Sequence, residues 1–135
     1  MRFVDTNILL YSVSLRLEEA QKAEIAVAIL GRDDLCLSVQ VLQEFYVQAT
    51  RPSKPDALPH RDAVAFISKW VRFPVQEMTL ALMQTAFSTK ARWQISYWDA
   101  AIIEAARISG CDEVLSEDLN HGQDYGGVRV TNPFR

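Results

Sequence analysis

Long apolar runs are missing from this sequence. The longest, Ile25 to Leu30, covers six residues, far short of the roughly 20 that a membrane span requires, so no transmembrane helix is expected. A secretory leader is not expected either, because Asp5 and Asn7 interrupt the one candidate stretch and no small-residue cleavage site follows it. Both absences predict a cytoplasmic chain. Cysteine is scarce as well: Cys36 and Cys111 sit in or beside short apolar segments without CxxC spacing, which favours reduced, buried thiols over a disulfide or zinc site. The two histidines, His60 and His121, lack ligand spacing and read as surface residues. Positive charge is not in excess, since 14 Lys+Arg against 17 Asp+Glu leave a net charge of −3. That excludes a protein gripping nucleic acid by bulk positive charge, but not one that reaches a phosphodiester through metal ions. Repeats and low-complexity tracts are absent, and 135 residues with 49% hydrophobic content suit a single domain over 1–135 with a substantial core.

What is present is an alternation of short apolar runs with longer helical patterns. Arg2-Phe3-Val4 reads as a strand, followed by Asp5-Thr6-Asn7 and the apolar Ile8 to Tyr11 of a helix. Glu18 to Leu30 reads as a helix stopped by Gly31 in a left-handed cap. Leu35 to Ser38 is a strand leading into a helix over Val39 to Thr50, where Val39, Leu42, Tyr46 and Ala49 recur at helical spacing. Pro52, Pro55 and Pro59 make Arg51 to His60 an exposed connection. Arg61 to Arg72 is amphipathic, with Ala63, Val64, Phe66, Ile67, Trp70 and Val71 on one face. Phe73 to Glu77 is a strand, Met78 to Arg92 a helix, and Tyr97 to Ser109 a helix ending at Gly110. Strands over Glu113 to Ser116 and Val128 to Thr131 complete the chain. Strands separated by helices imply an α/β fold, a mainly parallel sheet with helices on both faces. In such sheets the site lies at the carboxyl ends of the strands, so an acid just after a strand has functional weight.

Asp5 follows the first strand, where a helix N-cap and a site carboxylate are equally compatible with the residue. Asp99 falls on the apolar face of its helix with Ile102, Ile103 and Ala106, whereas Glu104 and Arg107 occupy the other side. A capping box, Ser96-x-x-Asp99, is the competing account. Glu44 lies beside Gln40 and Gln48 on a polar stripe and by periodicity reads as solvated surface. Glu117 and Asp118 follow the strand that begins at Glu113, so one of them shares the strand-end position of Asp5, a turn acid being the usual alternative. Three acids converging on one sheet edge would repel one another, so the cluster implies a bound cation. Oxygen ligation with few histidines favours Mg²⁺ or Mn²⁺ over zinc.

Four stretches resemble the PIN-domain family, and more closely the VapC-type toxin ribonucleases of bacterial toxin-antitoxin pairs. They are Phe3-Val4-Asp5-Thr6-Asn7, Gln43-Glu44-Phe45, Tyr97-Trp98-Asp99-Ala100-Ala101 and Leu115-Ser116-Glu117-Asp118-Leu119. His121-Gly122 and Asn132-Pro133-Phe134 also match the family's C-terminal pattern. The ordered set spans nearly the whole chain. The resemblance implies a PIN-like three-layer α/β/α sandwich. It assigns Asp5, Glu44, Asp99 and Asp118 to an acidic quartet around Mg²⁺, with Mn²⁺ as a possible substitute, and restores Glu44, which periodicity discards. Asn7 and Ser116 match supporting polar positions, Ser116 standing where many members have threonine, and Asp118 is preferred to Glu117 on the Ser-x-Asp pattern. The implied activity is hydrolysis of RNA to 5′-phosphate and 3′-hydroxyl ends, with an antitoxin protein and a second copy of the chain as partners.

Arg51, Lys54, Arg61, Lys69 and Arg72 outnumber Asp56 and Asp62 between positions 51 and 72, so Arg51 and Lys54 mark a candidate RNA-facing surface against the alternative of a solvated helix face. Two other functions compete. An aspartate-based phosphohydrolase also uses an acid after the first strand, but Asn7 stands where many carry a second aspartate. A non-catalytic PIN-like binding module would use its surface only for dimerisation or partner capture, although Trp70, Trp93 and Trp98 are attributed to core packing.

Overall fold

A computed structural model describes residues 1–135. Strands β1 (Arg2–Val4), β2 (Leu35–Ser38), β3 (Val75–Gln76), β4 (Glu113–Leu115) and β5 (Arg129–Thr131) form one sheet in the order β3-β2-β1-β4-β5. Every neighbouring pair is parallel, with Phe3 opposite Cys36 on one side and Val114 on the other. The central strands are short and apolar because both faces are covered; Leu35 to Ser38 is buried at every position.

The helices are α1 (Thr6–Ser12), α2 (Ala20–Leu30), α3 (Val39–Ala49), α4 (His60–Trp70), α5 (Leu80–Trp93) and α6 (Tyr97–Ile108). α1 packs on α2 and α3, and α3 on α4, whereas α5 packs on α6. This grouping follows from right-handed crossovers. The chain steps from β1 to β2 and β3 in one direction, placing α1 to α4 on one face, and then returns past β1 to β4, placing α5 and α6 on the other. β1 is therefore the strand at which the winding reverses, and a crevice opens at its carboxyl end.

Side-chain caps mark the helix starts: Asp5 accepts from the Thr6 backbone, Ser38 from Val41, Thr79 from Leu82 and Ser96 from Asp99. Phe45 meets Trp70 edge-on at 4.7 Å and ties α3 to α4. Gly110 takes the left-handed conformation expected after α6, at φ +78°. Gly31 does not; at φ −79° it continues the right-handed turn, and the left-handed helix end belongs to Gln94 after α5. The stretch from Glu18 opens as a 3-10 turn over Leu17–Glu19 before α2 begins.

Three further expectations are corrected. Glu104, assigned to the polar side of α6, is 2% exposed, because α5 covers the face that a helical wheel leaves open. Trp98 is 61% exposed rather than in the core, whereas Trp70 is buried. Val64 and Val71, placed on the apolar face of α4, are exposed as well. The sulfurs of Cys36 and Cys111 touch in the core, so the two are a facing pair and not separate residues. Their Cα atoms lie 7.7 Å apart, beyond the span of about 4.4–6.8 Å usual for a disulfide. No helix is long and apolar enough to cross a membrane.

Candidate functional site

The crevice at the end of β1 is assembled from residues distant in sequence. Asp5 enters it because β1 ends at Val4 and the chain turns at once into α1, with Asp5 extended at ψ 163° as the N-cap. Its Oδ1 accepts from the Thr6 N–H at 2.7 Å, and its Oδ2 accepts from the Ser116 hydroxyl at 2.7 Å. Ser116, fully buried just beyond β4, also accepts from the Asp118 N–H at 3.1 Å. One hydroxyl thus links the ends of two neighbouring strands.

Glu44 reaches the same crevice from the second turn of α3. Its Oε2 accepts from the Thr6 hydroxyl at 3.2 Å, and its Oε1 from the Gln40 amide at 2.7 Å. Gln40 also donates to the Trp98 carbonyl at 3.3 Å, joining α3 to the start of α6. The stripe of Gln40, Glu44 and Gln48 borders the crevice, with Gln40 buried, Glu44 half-buried and Gln48 exposed. Thr6 and Gln40 are polar groups that were not singled out from the sequence; the signal for Gln40 was the i, i+4, i+8 stripe starting directly after β2, and for Thr6 its place next to Asp5 at the same sheet edge.

Asp99 arrives from the first turn of α6. Ser96 accepts from its backbone N–H at 3.0 Å, forming one half of the capping box, while the reciprocal bond from the Ser96 N–H to the Asp99 carboxylate does not form. Asp118 is held by the Asn7 amide, which donates to its Oδ2 at 3.1 Å. Asp5, Glu44, Asp99 and Asp118 all line one cavity of about 90 Å³ whose lining includes no lysine, arginine or histidine.

Glu117 is not there. It is turned to the other side of the turn, where its Oε1 accepts from the Tyr11 hydroxyl at 2.7 Å and its Oε2 from the Lys22 ammonium at 2.5 Å. Burial pushes its carboxyl upward, but the bonds from Lys22 and Tyr11 outweigh that and hold it below the usual range. The Glu117 backbone N–H donates to the Asn7 side-chain oxygen at 3.3 Å, so Asn7 spans both residues of the pair.

Electrostatics separate these acids. Asp5, 6% exposed, is pushed up to about 6, chiefly by burial, with the charges of Asp118 and Glu44 adding to the rise and the bonds from Ser116 and Thr6 opposing it. Asp99 is also raised, by burial and by Asp118, against the opposing Ser96 hydroxyl. Carboxylates that resist ionisation beside one another, with no basic partner, suit a cation. The donors are all oxygen, the set that hard divalent ions prefer. As they lie, no three acidic side chains form a group that could hold a metal by themselves.

Arg51 and Lys54 lie outside this cleft but adjoin it. Both line a second groove with Asn7, Leu10 and Gln48, which also border the acidic cavity. Lys54 faces Asp56 at 3.8 Å. The other cations of positions 51–72 diverge: Arg72 donates to the Leu30 carbonyl and Lys69 lies over Phe66. His60 and His121 are exposed, as expected.

The PIN domain family model matches residues 2–123. Among solved structures, the chain is similar to Mycobacterium tuberculosis VapC20, a sarcin-ricin loop cleaving toxin, at 20% identity and TM-score 0.69, over 87% of this chain and 92% of that one. It is also similar to a toxin-antitoxin complex from Klebsiella pneumoniae, at 18% identity and TM-score 0.67 over 98% of both chains. FitAcB from Neisseria gonorrhoeae matches at 17% identity and TM-score 0.63 over 99% of both. At these identities the likeness is one of fold. No curated protein matches the chain by sequence.

Proposed function

The chain belongs to the PIN domain family, and on that premise we propose that it is a metal-dependent endoribonuclease, the toxin of a toxin-antitoxin pair. The observation that carries this reading is the cleft itself: four carboxylates, no basic side chain, and a position at the carboxyl ends of parallel strands. Asp5, Glu44, Asp99 and Asp118 would hold Mg²⁺ or Mn²⁺. A divalent ion there supplies charge neutralisation for the phosphate and acidifies a water for attack on phosphorus. Ser116, Thr6 and Gln40 aim the carboxylate oxygens, and Asn7 fixes the turn that carries Asp118. Arg51 and Lys54, in the adjoining groove, contact the RNA backbone on its way to the cleft.

An antitoxin protein and a second copy of the chain are the proposed partners, and the cytoplasm the proposed compartment. The solved relatives support the first partner, since the similar structure from Klebsiella pneumoniae is a toxin-antitoxin complex. Cleavage of end-labelled structured RNA by antitoxin-free protein tests the activity, with Mg²⁺ or Mn²⁺, with EDTA and with Asp5→Asn. Metal-dependent cutting that both controls abolish, leaving 5′-phosphate ends, is expected. Full cutting by Asp5→Asn, or in EDTA, would remove the acidic cleft from the reaction.

A further inference from the structure

The acid beside Asp118 is neutralised by residues outside the cleft. Glu117 receives hydrogen bonds from Tyr11 on α1 and Lys22 on α2. Lys22 also donates to the Tyr11 hydroxyl at 3.3 Å and lies 5.0 Å from the Tyr11 ring centroid. Phe134 closes the group, edge-on to Tyr11 at 5.0 Å. The turn is thereby pinned twice, through the Glu117 carboxylate and through Asn7, which bonds residues 117 and 118 together. Two adjacent acids on a short turn could exchange places by a small backbone rotation. In the anchored arrangement it is Asp118 that lines the cavity.

We propose that Lys22 and Tyr11 are positioning residues of the metal cleft, which hold Glu117 outside it and so fix the Ser116–Asp118 turn with Asp118 facing in. The proposal rests on the reading of the cleft as a metal site. Partners that orient ligands in this way typically change metal affinity by about 10- to 100-fold when removed.

Charge alone gives the opposite sign at Lys22. Removing a cation near an acidic cleft strengthens attraction for a divalent ion, whereas loss of positioning weakens it. Titration of Mn²⁺ into the purified full-length chain by calorimetry, with chemical unfolding to verify the fold, separates the two. Lys22→Met should weaken Mn²⁺ binding by about tenfold or more, and Lys22→Arg should restore it. Arg32→Met, which removes a cation paired with Asp34 at the opposite end of the sheet, should leave it unweakened. Tyr11→Phe should weaken it several-fold and serves as the second variant if Lys22→Met does not fold. Unchanged or tighter binding in folded Lys22→Met, or unchanged binding in Tyr11→Phe, would overturn the proposal. Failure of the unaltered chain to bind Mn²⁺ would instead overturn the metal reading, and this proposal with it.

Discussion

Asp5 and Glu104 are both nearly sealed from solvent, at 6% and 2% exposure, yet they are compensated in opposite ways. Glu104, in the middle of α6, accepts from Arg107 through both oxygens, at 3.0 and 3.3 Å, and from the Thr89 hydroxyl at 2.9 Å. Arg107 in turn donates to the carbonyls of Tyr125 and Gly126 at 2.6 Å, so the pair staples α6 to the loop before β5. Asp5 has hydrogen bonds but no base. One acid is a finished structural contact; the other carries an unmet demand for positive charge. Burial alone does not distinguish the two acids, and the identity of the partner does.

Four variants break or sharpen that contrast. The largest effect falls on the reaction. Asp99→Asn removes a cleft charge while leaving Ser96 to cap α6, so cleavage should fall more than about a hundredfold with the unfolding midpoint held; retained cleavage would make Asp99 a helix-start residue only. Next is Arg107→Met, which strands Glu104 without a cation and should destabilise by about 3–5 kcal/mol in denaturant unfolding, while the folded fraction keeps its specific activity.

Asp5→Asn should do the reverse. The folded protein holds the Asp5 proton up to about 6 instead of the ordinary 3.8, so this group favours the fold fully below the lower value, and that contribution is lost as pH rises through about 6. The metal-free Asn variant should therefore gain stability over the parent between pH 4 and 7, reaching up to about 3 kcal/mol. A gap that stays flat over this range would show that Asp5 does not titrate with the fold. The smallest effect is at the groove. Arg51→Glu with Lys54→Glu should weaken RNA binding by about tenfold and flatten its salt dependence, and an unchanged salt slope would take both residues off the RNA path.

The same contrast explains what was legible in the sequence. Strand-end position marked Asp5 and the Glu117–Asp118 pair, and a charge on an apolar face marked Asp99, because each depends on local pattern plus one rule about parallel sheets; the choice of Asp118 within the pair needed the family's Ser-x-Asp pattern. Glu44 needed family resemblance, since a polar stripe looks identical whether it faces water or a cleft built from α1 and α6. Glu104 was misplaced for the complementary reason: a helical wheel cannot register that α5 lies against the second side of α6. Lys22 and Tyr11 left no signal, because their meaning depends on Glu117, 95 and 106 residues away. Strand and helix positions followed from periodicity and caps, with edges differing by a few residues where a 3-10 turn precedes α2 and where β3 shortens to two residues.

The central place of β1 has a consequence for the order in which the protein is made. Its partner β4 and the turn bearing Asp118 are translated long after it, Asp118 coming 111 residues after Asn7, to which it is bonded. Segments emerging first can form α1, α2 and the β1–β2 pair, but contacts of such long sequence separation form late. Docking of the turn that carries Asp118 thus follows formation of the β1–β2 half, and the cavity takes its full lining only when that late contact to Asn7 closes.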